Sequence, residues 1–180
     1  MNHSINEAAK NAANKIKLLG LDVDGVLSDG KIVFSAQGDE LKAFCTLDGH
    51  GIKLLQQNGI EVAIITGRNS PLVARRARDL GIKHLVQGRE DKKIALDDIR
   101  QELGLDWEQC AYMGDDLPDL SAIKHCGLGI TVPNAHSFVK EHADMCTQTS
   151  GGHGAVREAC DFILSAQGLL DDIHQSFLKK

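Results

Sequence analysis

The sequence predicts an α/β fold, a parallel sheet with helices on both faces, and three observations carry that reading. Short apolar runs alternate with stretches of helical period, the pattern of strands joined by covering helices. Three of those runs end abruptly in polar loops: 16–21 in Asp22-Val23-Asp24-Gly25, 60–65 in Thr66-Gly67-Arg68, and 110–113 in Gly114-Asp115-Asp116-Leu117-Pro118-Asp119. Hydrophobic residues make up 42% of the 180 and charged residues 25%, enough apolar side chain for one packed core and too much for disorder.

Strands are expected at 16–21, 60–65, 84–86, 110–113, 128–132 and 144–146, giving a Rossmann-like sheet. Ser70-Pro71 reads as a cap followed by proline in the first helical turn, with Leu72, Val73, Ala77 and Leu80 on one face and Gly81 as the stop. Asp91 is placed to cap a second helix that buries Ala95, Ile99 and Leu103 and ends at Gly104. One segment interrupts the alternation. The strand-like runs 31–34 and 41–45 flank Ser35-Ala36-Gln37-Gly38-Asp39-Glu40, so 31–45 is expected to be a projecting β-hairpin flap. Residues 1–15 read as a polar N-terminal segment and 150–180 as a C-terminal helical tail, all within a single domain over 1–180.

A net charge of −5 without a basic block argues against nucleic acid or an anionic membrane as the partner. No apolar stretch is long enough for a membrane helix, and the opening residues lack a signal-peptide core, so a cytoplasmic location is expected. Cys45, Cys110, Cys126, Cys146 and Cys160 form no CxxC pair and read as small core residues of a protein in a reducing compartment.

In parallel α/β sheets ligands bind beyond the carboxyl ends of the strands, where the three polar loops would meet. Asp22, Asp24, Asp115, Asp116 and Asp119 would then converge. Two carboxylates about 4 Å apart repel by roughly 4 kcal/mol at an effective dielectric near 20, so such a cluster calls for a cation. Its donors are all oxygen, which selects a hard ion, Mg²⁺ rather than Zn²⁺. With that ion, phosphoryl transfer is the expected chemistry. Asp22 is the candidate nucleophile and Asp24 the candidate general acid and base. The Thr66 hydroxyl, the Gly67 amide and the Lys92 ammonium, at a helix start, are candidates for binding phosphate oxygens.

The order DxDGV, TGR, lysine, GDDxxD resembles the haloacid dehalogenase superfamily over nearly the whole chain. The resemblance implies that Asp22 is the nucleophile, that Asp22, the Asp24 carbonyl and Asp115 bind Mg²⁺, and that Asp116 and Asp119 support that shell. The gaps from Asp24 to Thr66 and from Thr66 to Lys92 are too short for a cap domain, which places the chain in the capless subclass. An open site of that kind needs closing by a neighbouring subunit. The hairpin and the glycine-rich Gly151-Gly152-His153-Gly154 are the expected closing pieces.

Leu47-Asp48-Gly49-His50-Gly51-Ile52 and Gly154-Ala155-Val156-Arg157-Glu158 narrow the resemblance to a tetrameric, Mg²⁺-dependent group that acts on phosphorylated sugar acids. It implies a homotetramer, a small phosphorylated sugar acid as substrate, and substrate contacts from Asp24, Asp48, Gly49, Lys53, Gly67, Arg68, Arg76 and Lys92. The sugar itself stays open. A catalytically idle phosphosugar-binding protein is the rival class, and the intact Asp24 argues against it, because a pure binder has no use for a general acid.

Overall fold

A computed structural model describes residues 7–179. Six strands form one parallel sheet: β1 (Leu18–Leu21), β4 (Glu61–Ile65), β5 (His84–Val86), β6 (Cys110–Met113), β7 (Leu128–Thr131) and β8 (Met145–Cys146), in the order β5-β4-β1-β6-β7-β8. The remaining strands, β2 (Val33–Phe34) and β3 (Glu40–Leu41), make the hairpin. From β1 the chain winds outward through β4 to β5, then returns to β6 on the other side of β1 and winds away. That reversal opens a crevice beyond the ends of β1 and β6, where Leu21 is in register with Met113.

Side chains alternate across the sheet, so its two faces build two cores. Leu19, Leu21, Val62, Ile64, Ala111 and Met113 face α1 (Glu7–Ala13), α2 (Thr46–Gln57), α3 (Pro71–Leu80) and α7 (Ala155–Ala166). Leu18, Ala63, Ile65, Cys110 and Tyr112 face α4 (Lys92–Glu102), α5 (Leu120–His125) and α6 (Ser137–His142). No cap domain interrupts the described residues, and none of their helices is long and apolar enough to cross a membrane.

Several expectations are corrected. The N-terminal segment is not merely polar: α1 buries Ala9 and Ala13 against the core, while 1–6 lie outside the described residues. The helices expected in 150–180 are present, but α7 belongs to the core, burying Val156, Ala159, Cys160, Ile163 and Leu164 and packing along α2; α8 (Leu170–Leu178) follows it. The hairpin strands are shorter than 31–34 and 41–45. After Leu41 the chain leaves the ladder, because Lys42 turns to Asp24 and Phe44 packs on the core beneath the Arg76 guanidinium. Pro71 and Gly81 bound α3 as expected, Gly81 at φ +71°, but Ser70 makes no side-chain cap. Asp91 does not cap α4 either, since Arg89 takes both of its oxygens at 2.6 Å. Cys110, Cys126 and Cys160 are core residues; Cys45 is half-buried and Cys146 exposed.

Candidate active site

The loop after β1 is built to bring carboxylates close. The Asp22 amide donates to the Met113 carbonyl (3.0 Å) and so carries the β1–β6 pairing one residue past the strand. Residues 23–27 then form one loose turn with Gly25 at φ +101°. Only glycine fits there: a side chain would be strained by that φ, and its Cβ would overlap the Asp115 carboxylate. The turn is tied from a distance. The Asn134 side chain donates to the Gly25 carbonyl (3.0 Å) and accepts the Gly151 amide (2.8 Å), while the Gly152 amide donates to the Val26 carbonyl (2.9 Å). The glycine-rich segment therefore packs on its own chain's catalytic loop.

Asp22, Asp115 and Asp119 each present an oxygen within 4.8 Å of one another, a grouping found nowhere else among the described residues. Asp119 is already committed. Its Oδ2 accepts the amides of Asp115 (3.0 Å) and Asp116 (3.2 Å), and its Oδ1 accepts the buried Tyr112 hydroxyl (3.0 Å). It thus shapes the loop, while Asp116 accepts the Leu117 amide (2.8 Å) at the start of the next turn. Lys92, buried at the start of α4, donates to Asp22 Oδ1 (2.5 Å) and the Ile65 carbonyl (2.9 Å), with Asp119 Oδ1 at 3.3 Å.

One ammonium does not balance three carboxylates. Burial and the neighbouring Asp119 push Asp22 up to about 6 against the pull of Lys92. Burial, Asp22, Asp119 and Asp116 push Asp115 up to about 7. Burial opposes the Lys92 charge, but Asp22 and Asp119 outweigh it and raise its pKa. Two oxygen donors so reluctant to ionise together fit a hard divalent cation, which would restore both to carboxylates.

Thr66 is buried at the end of β4, beside β1; its hydroxyl accepts the Arg68 amide (3.3 Å) and its carbonyl the Arg89 amide (3.1 Å). Gly67 follows, close to the Glu90 side chain. Asp24 sits at the mouth of the crevice. Lys42 of the hairpin is ion-paired to its Oδ1, and Arg68 Nε approaches its Oδ2 at 3.8 Å. The sequence reading missed Lys42, Tyr112 and Asn134.

The remaining expected contacts are arranged differently. Asp48, only 1% exposed, accepts the Arg157 amide (2.8 Å) and anchors the start of α7. That bond ties Asp48 to α7 through Oδ1, while its buried Oδ2 has no hydrogen-bond partner. Arg76 donates to the Cys45 carbonyl (3.1 Å) and lies against Gly49, where a Cβ would collide with its guanidinium. Lys53 is exposed on α2, one turn beyond Gly49.

This geometry agrees with known proteins. Residues 84–158 match the model of the haloacid dehalogenase-like hydrolases. The 3-deoxy-D-manno-octulosonate 8-phosphate phosphatase of Escherichia coli is 50% identical over 160 residues, 89% of this chain and 85% of that one. The chain belongs to the haloacid dehalogenase superfamily. Among its solved members, the phosphatase of the same description from Moraxella catarrhalis, in complex with magnesium, phosphate and KDO, superposes with a TM-score of 0.94. It is 47% identical, with 96% of this chain and 99% of that one covered. The cobalt-bound phosphatase from Haemophilus influenzae gives 0.88 at 43% identity, covering 93% and 99%.

Proposed function

We propose that the chain is a Mg²⁺-dependent phosphatase that hydrolyses 3-deoxy-D-manno-octulosonate 8-phosphate to the free sugar acid and phosphate, a step toward the lipopolysaccharide inner core. The observation that carries this is the Asp22–Asp115–Asp119 cluster with its Lys92 counter-ion, in a chain half identical to enzymes of that name. Asp22, the Asp24 carbonyl and Asp115 would hold Mg²⁺, with Asp116 and Asp119 fixing the loop. The ion supplies charge neutralisation and a fixed point for the phosphoryl group.

The protein's own residues do the rest. An Asp22 oxygen attacks phosphorus while Asp24 gives a proton to the departing ester oxygen, leaving an aspartyl-phosphate. Asp24, now a carboxylate, takes a proton from water as its oxygen attacks that phosphorus, and Asp22 is released. Thr66, the Gly67 amide and Lys92 bind the nonbridging oxygens, with Lys92 exchanging part of its carboxylate contact for phosphate. Arg68 is the substrate cation best supported by position, beside Asp24 at the open mouth; Lys53, Arg76 and Gly49 would contribute from α2 and α3.

The hairpin supports a homotetramer. Ile32, Val33, Phe34 and Leu41 are 47–62% exposed, and Val33, Leu41, Ala43 and Leu72, together with Glu40 and Lys42, line a groove of about 400 Å³. Surfaces of that kind mark protein contacts. Hairpins meeting across subunits would cover them and narrow the crevice, in a cytoplasmic enzyme. Phosphate release across a panel of phosphorylated sugars and sugar acids with Mg²⁺, alongside light scattering, tests both statements. Preference for an N-acylneuraminate 9-phosphate, or no hydrolysis, would overturn the substrate; a selective monomer would overturn the assembly.

A further inference from the structure

Four charged side chains close a ring across the mouth of the site. Lys42 is ion-paired to Asp24 Oδ1 and lies 3.6 Å from Glu40 Oε1; Arg68 Nη2 lies 3.2 Å from Glu40 Oε2, and Arg68 Nε 3.8 Å from Asp24 Oδ2. Signs alternate around it. Asp24 and Arg68 come from the loops after β1 and β4, whereas Glu40 and Lys42 come from the hairpin strand β3 and the residue just beyond it. Each oxygen of the Asp24 carboxylate thus faces a different cation, and the Ser28 hydroxyl reaches Oδ1 at 3.5 Å.

The Lys42 side chain is 2% exposed, against 23% for Asp24, 22% for Glu40 and 43% for Arg68. Burying an ammonium in an ion pair is a poor route to stability, because desolvation offsets most of the attraction. Orientation is what such a pair supplies. The terminal torsion of an aspartate is broad and roughly two-fold, so an unbracketed carboxylate would sample many directions. Proton transfer needs one direction, within hydrogen-bond reach of the ester oxygen.

We propose that Lys42 is a positioning residue, reaching from the hairpin to hold the Asp24 carboxylate in the direction that proton transfer to the departing ester oxygen and from the attacking water requires. This rests on the acid and base role given to Asp24 above. Lys42 touches Asp24 rather than the reacting atoms, and the hairpin becomes part of the turnover machinery as well as a flap.

The test uses Lys42→Met and Lys42→Arg in the full-length protein with Mg²⁺, with oligomeric state checked by light scattering. General acid–base catalysis is typically worth about 10²–10⁴-fold, so Lys42→Met should lower kcat on 3-deoxy-D-manno-octulosonate 8-phosphate by about 30-fold or more, with KM within about threefold. The first-turnover release of p-nitrophenolate from p-nitrophenyl phosphate should fall far less, since that leaving group needs no proton. Lys42→Arg should recover most of the lost kcat. A raised KM at unchanged kcat, equal losses on both esters, or no recovery by arginine would overturn the proposal.

A measurement independent of activity covers a Lys42→Met variant that misfolds and a wild type that hydrolyses neither ester. In protein with ¹⁵N-labelled lysine, an exchange-protected ammonium resonance that disappears in Lys42→Arg should shift in Asp24→Asn. A Lys42 ammonium that is unprotected, or blind to Asp24→Asn, overturns the inference. A wild type inactive on sugar-acid esters but with this resonance in place would overturn the substrate assignment instead.

Discussion

Lys92 Nζ stands 2.5 Å from Asp22 Oδ1, 70 residues away in sequence, and is the ammonium shared by Asp22 and Asp119. Without it, buried carboxylates would face one another with no protein cation between them. Lys92→Met should lower kcat by about 10²–10³-fold, the usual cost of removing one preorganised phosphate-stabilising donor. It should also cost about 3–5 kcal/mol of stability near pH 8, as breaking a buried pair does. Denaturant unfolding of the metal-free variant checks the second point, and the deficit should shrink toward pH 5, where Asp22 and Asp115 take up protons.

Asp22→Asn should abolish turnover with an unchanged circular dichroism spectrum, because the amide cannot attack phosphorus. Asp24→Asn should also stop turnover, yet still permit slow formation of aspartyl-phosphate from p-nitrophenyl phosphate. A burst of nitrophenolate without steady-state release is the expected trace, and near-normal activity in either variant would sink the mechanism.

Activity should disappear in EDTA, return with Mg²⁺, Mn²⁺ or Co²⁺, and be inhibited by Ca²⁺, which favours more ligands and looser geometry. The pH dependence has a definite sign. The folded-state pKa values of Asp22 (about 6) and Asp115 (about 7) lie above the ordinary 3.8, so their contribution to stability is fully present below 3.8 and is lost as pH rises through 6 to 7. A bound dication reverses that loss. The rise in Tm on adding saturating Mg²⁺ should therefore be larger at pH 8 than at pH 5, and small in Asp115→Asn. Equal increments at both pH values would contradict this origin of the shifts.

Asp48→Ala should act on the fold rather than on substrate. It removes the acceptor of the Arg157 amide from a site 1% exposed, leaving the first turn of α7 without its partner. A loss of about 1–3 kcal/mol in denaturant unfolding is expected, with KM for the sugar-acid phosphate nearly unchanged. A large rise in KM at full stability would return Asp48 to the substrate contacts.

The sheet was legible because each strand is a short apolar run ended by a polar turn, and α3 because Pro71 and Gly81 mark its ends chemically. Asp22, Asp24, Asp115 and Lys92 were legible as a set because strand ends in a parallel sheet share one edge. Residues whose meaning lies in a distant partner were not. Asn134 is an ordinary loop amide until Gly25 and Gly151 are placed on either side of it, and Tyr112 is one more apolar strand residue until its hydroxyl meets Asp119. Asp48 reads as a substrate contact through the resemblance carried by residues 47–52; only the approach of α7 shows that it also anchors a helix. Lys42 carried one faint signal, a charge between Leu41 and Ala43 in an apolar run.

The tie from Asn134, Gly151 and Gly152 to the turn after Asp22 has a consequence for synthesis of the protein. A nascent chain halted before Gly151 already contains every acidic residue of the site and Asn134, but lacks the Gly151 and Gly152 amides that complete the tie to the turn presenting them. Catalytic competence should therefore arrive only once Gly151 and Gly152 have been made, rather than with the acidic motifs themselves. Chains that stop short of Gly151 carry the charges without the enzyme, and a protease that clips the 147–154 stretch would switch off a site whose carboxylates it never touches.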